Sequence, residues 1–231
     1  AGKWLEPRLA WSIELRNNLD IEHPAGRQIY IAADNGRYTM LEERNLIHHQ
    51  IDGTIDAYAT PGTAANSNSN PPTLHIMPYT YVTAGGAQFV TDINGQVTIP
   101  GANAINVTAS FRGPYCRVYN QAGGDHSASA TFTQGGVNVL TMNTGQTEYV
   151  TSEASCYDSV NDWIIWARSI DPTDTSMEFQ VRTNANLNST CNAYFDGSSI
   201  NMYRSGSGCS NTGFSTVVAH GEGHWANVVY N

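Results

Sequence analysis

Few long stretches of this chain run without a turn signal, and that limits what it can fold into. Short apolar-alternating segments are separated by residues that reverse direction. Asp34-Asn35-Gly36, Asp92-Ile93-Asn94-Gly95 and Asp196-Gly197 are strong tight-turn sequences. The run Asn66-Ser67-Asn68-Ser69-Asn70-Pro71-Pro72 is a polar loop by composition. Such punctuation predicts short strands over most of the length. Two segments escape it. In residues 147–170, Val150, Ala154, Tyr157, Val160, Ile164 and Ile165 fall at steps of three and four, which predicts a helix over 152–169 that stops at Asp171-Pro172. Residues 212–231, TGFSTVVAHGEGHWANVVYN, form a second amphipathic helical pattern. The expected class is therefore α+β with a large β share.

Charge and composition narrow the function classes. The net charge of -9 and the lack of a basic cluster argue against a nucleic-acid partner. No apolar run approaches the roughly 18 residues needed to span a bilayer. No signal peptide opens the chain, and the start at Ala1-Gly2-Lys3 reads as that of a processed product. Asn, Ser, Thr and Gly are abundant while charged residues make up only 13%, which suits a secreted, turn-rich protein. Four cysteines, Cys116, Cys156, Cys191 and Cys209, contain no C-x-x-C pair. Their even number favours two disulfides and an oxidising compartment. Of the three pairings, proximity favours Cys191–Cys209 and Cys116–Cys156.

Three blocks are expected. In residues 1–50, strands at 9–15 and 27–33 are followed by a turn and a partner strand at 38–41; His48-His49 closes the block. This strand–turn–strand pattern resembles about half of the PepSY-type module of peptidase propeptides. Residues 51–115 read as strands only, at 51–58, 80–82, 87–91, 96–99 and 104–109, and predict a β-sandwich module. Its segment FVTDINGQVTIP resembles the hairpin of carboxypeptidase-regulatory-like modules. Asp92 and Asn94 could ligate calcium there, but a hairpin turn accounts for them more simply. Residues 116–231 form the third block, with strands at 128–133, 137–140 and 177–182, the two helices, and a hairpin over 190–203.

In this third block NAYFDGSSINMY is followed, after a Ser/Gly link, by VVAHGEGH. Two motifs in this order resemble the thermolysin-like and fungalysin-like zinc peptidases, the gluzincins. The resemblance implies a zincin N-terminal lobe and a family activity of hydrolysing internal peptide bonds with zinc-activated water. It implies a peptide or protein substrate added as a strand at the edge hairpin, with Asn192 and Ala193 at the substrate-contacting positions. His220 and His224, four apart on a helix, stack on one face as the two metal ligands. A third ligand is expected from a Glu further along, in a C-terminal lobe supplied by a continuation or by another chain. One letter departs from H-E-x-x-H. Gly221 stands where the general-base Glu would be, and Glu222, about 200° around the helix from His220, points away from both ligands. The chain is therefore expected to be inactive as written, or to be a pseudopeptidase that binds without cutting. Asp158 with Asp162, and Asp171 with Asp174, are further calcium candidates, each weighed against a solvated helix face or a capped turn.

Overall fold

A computed structural model describes residues 10–16, 26–33, 40–45, 50–101 and 103–231. The chain separates into two units, residues 1–49 and 50–231. The first contains an antiparallel three-stranded sheet: β1 (Ala10–Arg16), β2 (Gly26–Ala32) and β3 (Met40–Asn45), in that order. Trp11 and Ile13 face Ile31 and Ile29 across the first ladder. The Asp34-Asn35-Gly36 turn and His48-His49 lie outside the described residues.

The second unit opens with β4 (Gln50–Ala59), β5 (Thr73–Ile76), β6 (Tyr81–Ala84), β7 (Ala87–Val90), β8 (Gln96–Pro100) and β9 (Ala104–Ser110). It continues with β10 (Cys116–Asn120), β11 (Ser127–Thr133), β12 (Val139–Met142) and the long helix α1 (Glu148–Ile170). It ends with β13 (Val181–Leu187), β14 (Ala193–Phe195), β15 (Ile200–Tyr203) and helix α2 (Ser215–Tyr230). Three four-stranded sheets result. One runs β12-β4-β5 with β8 also on β4, one β11-β9-β6-β7, and one β10-β13-β15-β14. The protein is thus β-rich, with two helices among the described residues.

No boundary falls near residue 115. β4 pairs in parallel with β12, and β9 pairs antiparallel with β11, so strands from both sides of the expected division share ladders. A single buried apolar cluster runs from Ile51 to Val218. The separate 51–115 sandwich and 116–231 lobe are therefore one unit. The reason is long-range pairing, which periodicity within a segment does not reveal.

The FVTDINGQVTIP segment is likewise not a hairpin. Asp92 Oδ1 accepts the backbone N–H groups of Asn94 and Gln96, both at 2.8 Å, so the turn forms as an Asx motif. Its two strands then diverge, β7 to β6 and β8 to β4. The polar 66–72 loop is also better held than its composition suggests. Asn70 Nδ2 donates to the carbonyls of Pro61, Ala64 and Ala65 at 3.0–3.3 Å.

α1 begins four residues before the expected start and buries Ala154, Cys156, Tyr157, Val160 and Ile164. It also buries Ser155, Ser159 and Asn161, because each of these side chains donates to the carbonyl four residues back, at 2.7–2.8 Å. Asp171, held in an extended conformation before Pro172, stops it. The expected Cys116–Cys156 bond is absent, and both residues are buried free thiols. Cys116, on β10, has its sulfur 3.8 Å from Thr183 Oγ1, while that of Cys156 lies beneath Gly213. Burial pushes both thiols up, Cys156 to about 12.

Candidate functional site

β14 and β15 form the hairpin read from the sequence, with Ala193 opposite Met202 and Phe195 opposite Ile200. Gly197 takes φ +88, which an L side chain rarely adopts, so the Asp-Gly turn needs its glycine. Asp196 closes the turn. Its carboxylate accepts from the N–H groups of Ser198 and Ser199 and from both hydroxyls, which holds its pKa well below the usual carboxylate range despite some burial. β14 is the edge of its sheet, with Tyr194 exposed.

The approach to α2 is tied back to this hairpin. A Cys191–Cys209 disulfide joins the start of β14 to the link before the helix. Thr212 Oγ1 receives the Tyr203 N–H at 2.7 Å and lies 3.3 Å from the carbonyl of Asn192. The helix then runs alongside the hairpin. Phe195 stacks on the His224 ring with centroids 5.8 Å apart and planes within 4°. Trp225 meets both Phe195 and Phe179 edge-on at 5.0 Å.

Between hairpin and helix lies a cleft of about 510 Å³. Asn192, Ala193, His220, Gly221 and His224 all line it, so the residues singled out in the sequence meet on one surface. His220 Nε2 and His224 Nε2 are 3.1 Å apart. Two nitrogens each about 2.0–2.1 Å from one tetrahedral zinc would be about 3.3 Å apart. The pair therefore fits two ligands of one ion. Among the described residues no group of three or more His, Cys, Asp or Glu is placed to hold a metal ion.

Gly221 faces Ile200. A β-carbon built on Gly221 would come within 2.6 Å of Ile200 Cγ2. Position 221, where the resemblance expects a general base, is thus backed by a neighbour that occupies the space, a feature invisible in the sequence. Glu222 does not reach the cleft. It is fully buried, neither carboxyl oxygen has a partner, and burial pushes its pKa up to about 8.

Three of the calcium candidates, Asp158, Asp171 and Asp174, have protein partners. Asp158 is paired with His75 Nδ1 at 2.7 Å, and His75 Nε2 is 3.1 Å from Thr73 Oγ1, a chain that clamps β5 to α1. Asp171 and Asp174 accept N–H groups two residues on, and Tyr230 donates to Asp174. Phe195, Ile200 and Thr212 escaped the sequence reading; only their place in the hairpin or just before α2 could have pointed to them.

In comparisons with known proteins, no family model, curated protein or solved structure matches the chain. No helix of the described residues is long and apolar enough to cross a membrane.

Proposed function

We propose that the cleft between β14 and α2 is an extended-peptide site of gluzincin type that binds without turning over. The observation carrying this reading is the 3.1 Å approach of His220 Nε2 to His224 Nε2 in a cleft walled by an edge strand. An edge strand offers unpaired N–H and C=O groups, and a peptide lying along β14 satisfies them while its side chains enter the cleft. Asn192, at the start of that edge, presents an amide that both donates and accepts. Zinc, held by His220 and His224, would supply the activated water of the family's reaction. Gly221 has no group to accept a proton, and Ile200 fills its place. The Cys191–Cys209 disulfide supports an oxidising, extracellular setting.

The test is zinc stoichiometry together with hydrolysis of a fluorogenic peptide. The expected result is zinc uptake that His220→Gln or His224→Gln weakens, with no hydrolysis by the chain itself. Gly221→Glu combined with Ile200→Ala is the variant expected to move toward turnover, wherever the remaining ligand is supplied. Robust hydrolysis by the unaltered chain would sink the non-catalytic reading. Zinc uptake unaffected by either His variant would sink the ligand assignment.

A second reading, a metal-independent binding or structural use of the same scaffold, is favoured by Gly221 itself. Peptide binding at β14 with no dependence on zinc would identify it.

A further inference from the structure

The five arginines of residues 50–231 are unevenly used. Arg168 is paired with Glu178 at 2.7 Å, and Arg204 helps to hold the Glu148 carboxyl low. The other three, Arg112, Arg117 and Arg182, stand in one row. Arg112 is bridged to Arg117 across an antiparallel turn, and Arg117 is the direct partner of Arg182 in the parallel ladder of β10 with β13. Partners in a ladder carry their side chains on the same face of a sheet. The alternate residues Cys116, Val118, Val181 and Thr183 fill the core, so the arginines take the outer face. None of the three lines the histidine cleft.

Among the described residues nothing neutralises this row, because none of the three arginines forms an ion pair. Asp125 and Glu153 share a small cavity with Arg112 and Arg117, yet both are engaged elsewhere. Asp125 Oδ1 accepts the Asn120 N–H at 2.9 Å, and the two Glu153 oxygens accept Asn120 Nδ2 and the His126 N–H, each at 3.0 Å. Like charges directly opposite each other destabilise a sheet. In a chain of net charge -9, three adjacent cations without an acid between them call for a counter-ion from outside.

The guanidinium groups are also held in place. Cζ of Arg117 and Cζ of Arg182 lie 4.4 and 4.6 Å from the centroid of one ring, Tyr119, and Cζ of Arg112 lies 5.7 Å from that of Tyr81. Arg182 Nε donates to Asn184 Oδ1 at 3.2 Å, and Gln121 Nε2 donates to the same oxygen at 3.3 Å. That bond uses one of the five N–H donors of Arg182.

We propose that this row binds a tetrahedral oxyanion, either free phosphate or sulfate or the same group on a small ester. Planar guanidinium groups fixed against a ring match such an anion through paired N–H donors, which an ammonium group does not. Half-buried Arg117 sits between the exposed Arg112 and Arg182, so the anion has a centre and two accessible margins. The negative charge of the whole chain works against a long polyanion, and a single anionic group suits a patch of this size.

The experiment is calorimetric titration and thermal-shift measurement with phosphate, sulfate, O-phosphotyrosine and tyrosine O-sulfate, one at a time at constant ionic strength, with acetate as comparator. At least one tetrahedral anion is expected to bind saturably and raise the melting temperature. Tighter binding of an ester than of its free ion assigns the site to the ester, and equal binding assigns it to the free ion. Arg117→Gln and Arg182→Gln are each expected to weaken binding about tenfold, the loss of one charge-assisted contact. Arg182→Lys is expected to recover only part of that loss. Should Arg117→Gln fail to fold, the variants of the exposed Arg182 give the comparison. The proposal is overturned by any of three outcomes: no tetrahedral anion binds at millimolar concentration, acetate binds as tightly, or the glutamine variants bind as tightly as the parent.

Discussion

Ile200 Cγ2 lies 2.6 Å from where a β-carbon on Gly221 would sit, while nothing lies within 4 Å of the equivalent point on Gly223. The two glycines of one helical turn are therefore not equivalent. Each lowers helix stability by about 1 kcal/mol relative to alanine. At position 223 alanine recovers that amount freely. At position 221 it meets a β-branched side chain that has one preferred rotamer and little room to yield. Gly223→Ala is expected to raise unfolding free energy by about 1 kcal/mol, and Gly221→Ala to leave it unchanged or lower it. Urea unfolding of the two variants decides the matter; equal gains would show that Ile200 moves aside.

Glu222 gives a second prediction. Both its carboxyl oxygens are buried without partners, and a buried unsatisfied polar group costs about 1–3 kcal/mol. Methionine has a similar unbranched shape and no such requirement. Glu222→Met is expected to stabilise the protein by about 2 kcal/mol without altering zinc uptake, since the side chain does not enter the cleft. A destabilised variant in urea melts would mean that the carboxyl has a partner in solution, such as a buried water.

What the sequence discloses and what it withholds follow from the range of the interactions involved. The Asp196-Gly197 hairpin was legible because Gly197 needs its positive φ locally. β8 was legible because Val97 and Ile99 alternate with exposed neighbours. β10 was not, since CRVYN is short and carries an arginine whose guanidinium lies over the Tyr119 ring rather than in the core. Met177 read as the start of a strand, yet it is buried in a loop and β13 begins at Val181. The divergence of β7 from β8, the separate thiols of Cys116 and Cys156, and the fit of Ile200 against Gly221 all depend on which distant segment arrives nearby. Spacing along the chain carries no record of that. The His220–His224 pair was legible because a helix fixes residues four apart on one face.

The disulfide bears on the site as well as on stability. Cys191 and Cys209 are 18 residues apart in sequence. A cross-link closing a loop of this size contributes about 3 kcal/mol in the chain-entropy view. It also holds the β14 edge against the segment that leads into α2. Cys191→Ser with Cys209→Ser is expected to lower the melting temperature and to weaken peptide binding at the edge by more than it weakens zinc uptake, because both histidines sit on one helix. Parallel losses of the two activities would show that the helix itself depends on the bond.

The His75–Asp158 clamp predicts a pH dependence. The Asp158 hydrogen bond holds His75 above its ordinary value of 6.5, more than offsetting partial burial. A base whose folded pKa is raised contributes stability that is fully present below about 6.5 and lost as pH rises through the higher folded value. Asp162 works in the same direction lower down. Partial desolvation and the Asp158 charge push its carboxyl from 3.8 to about 6, so its ionisation weighs against folding across that interval, an effect that its exposure to water reduces. His126 runs the other way: burial lowers its pKa, so its unfavourable contribution is relieved as pH rises toward 6.5 and is gone above it. The whole-protein profile mixes these, and the informative quantity is the difference between the parent and His75→Gln. That difference is expected to be largest near pH 6 and to shrink steadily toward pH 9. Urea melts at a series of pH values measure it; a difference that does not change with pH would mean that His75 stays neutral against Asp158 and clamps β5 by packing alone.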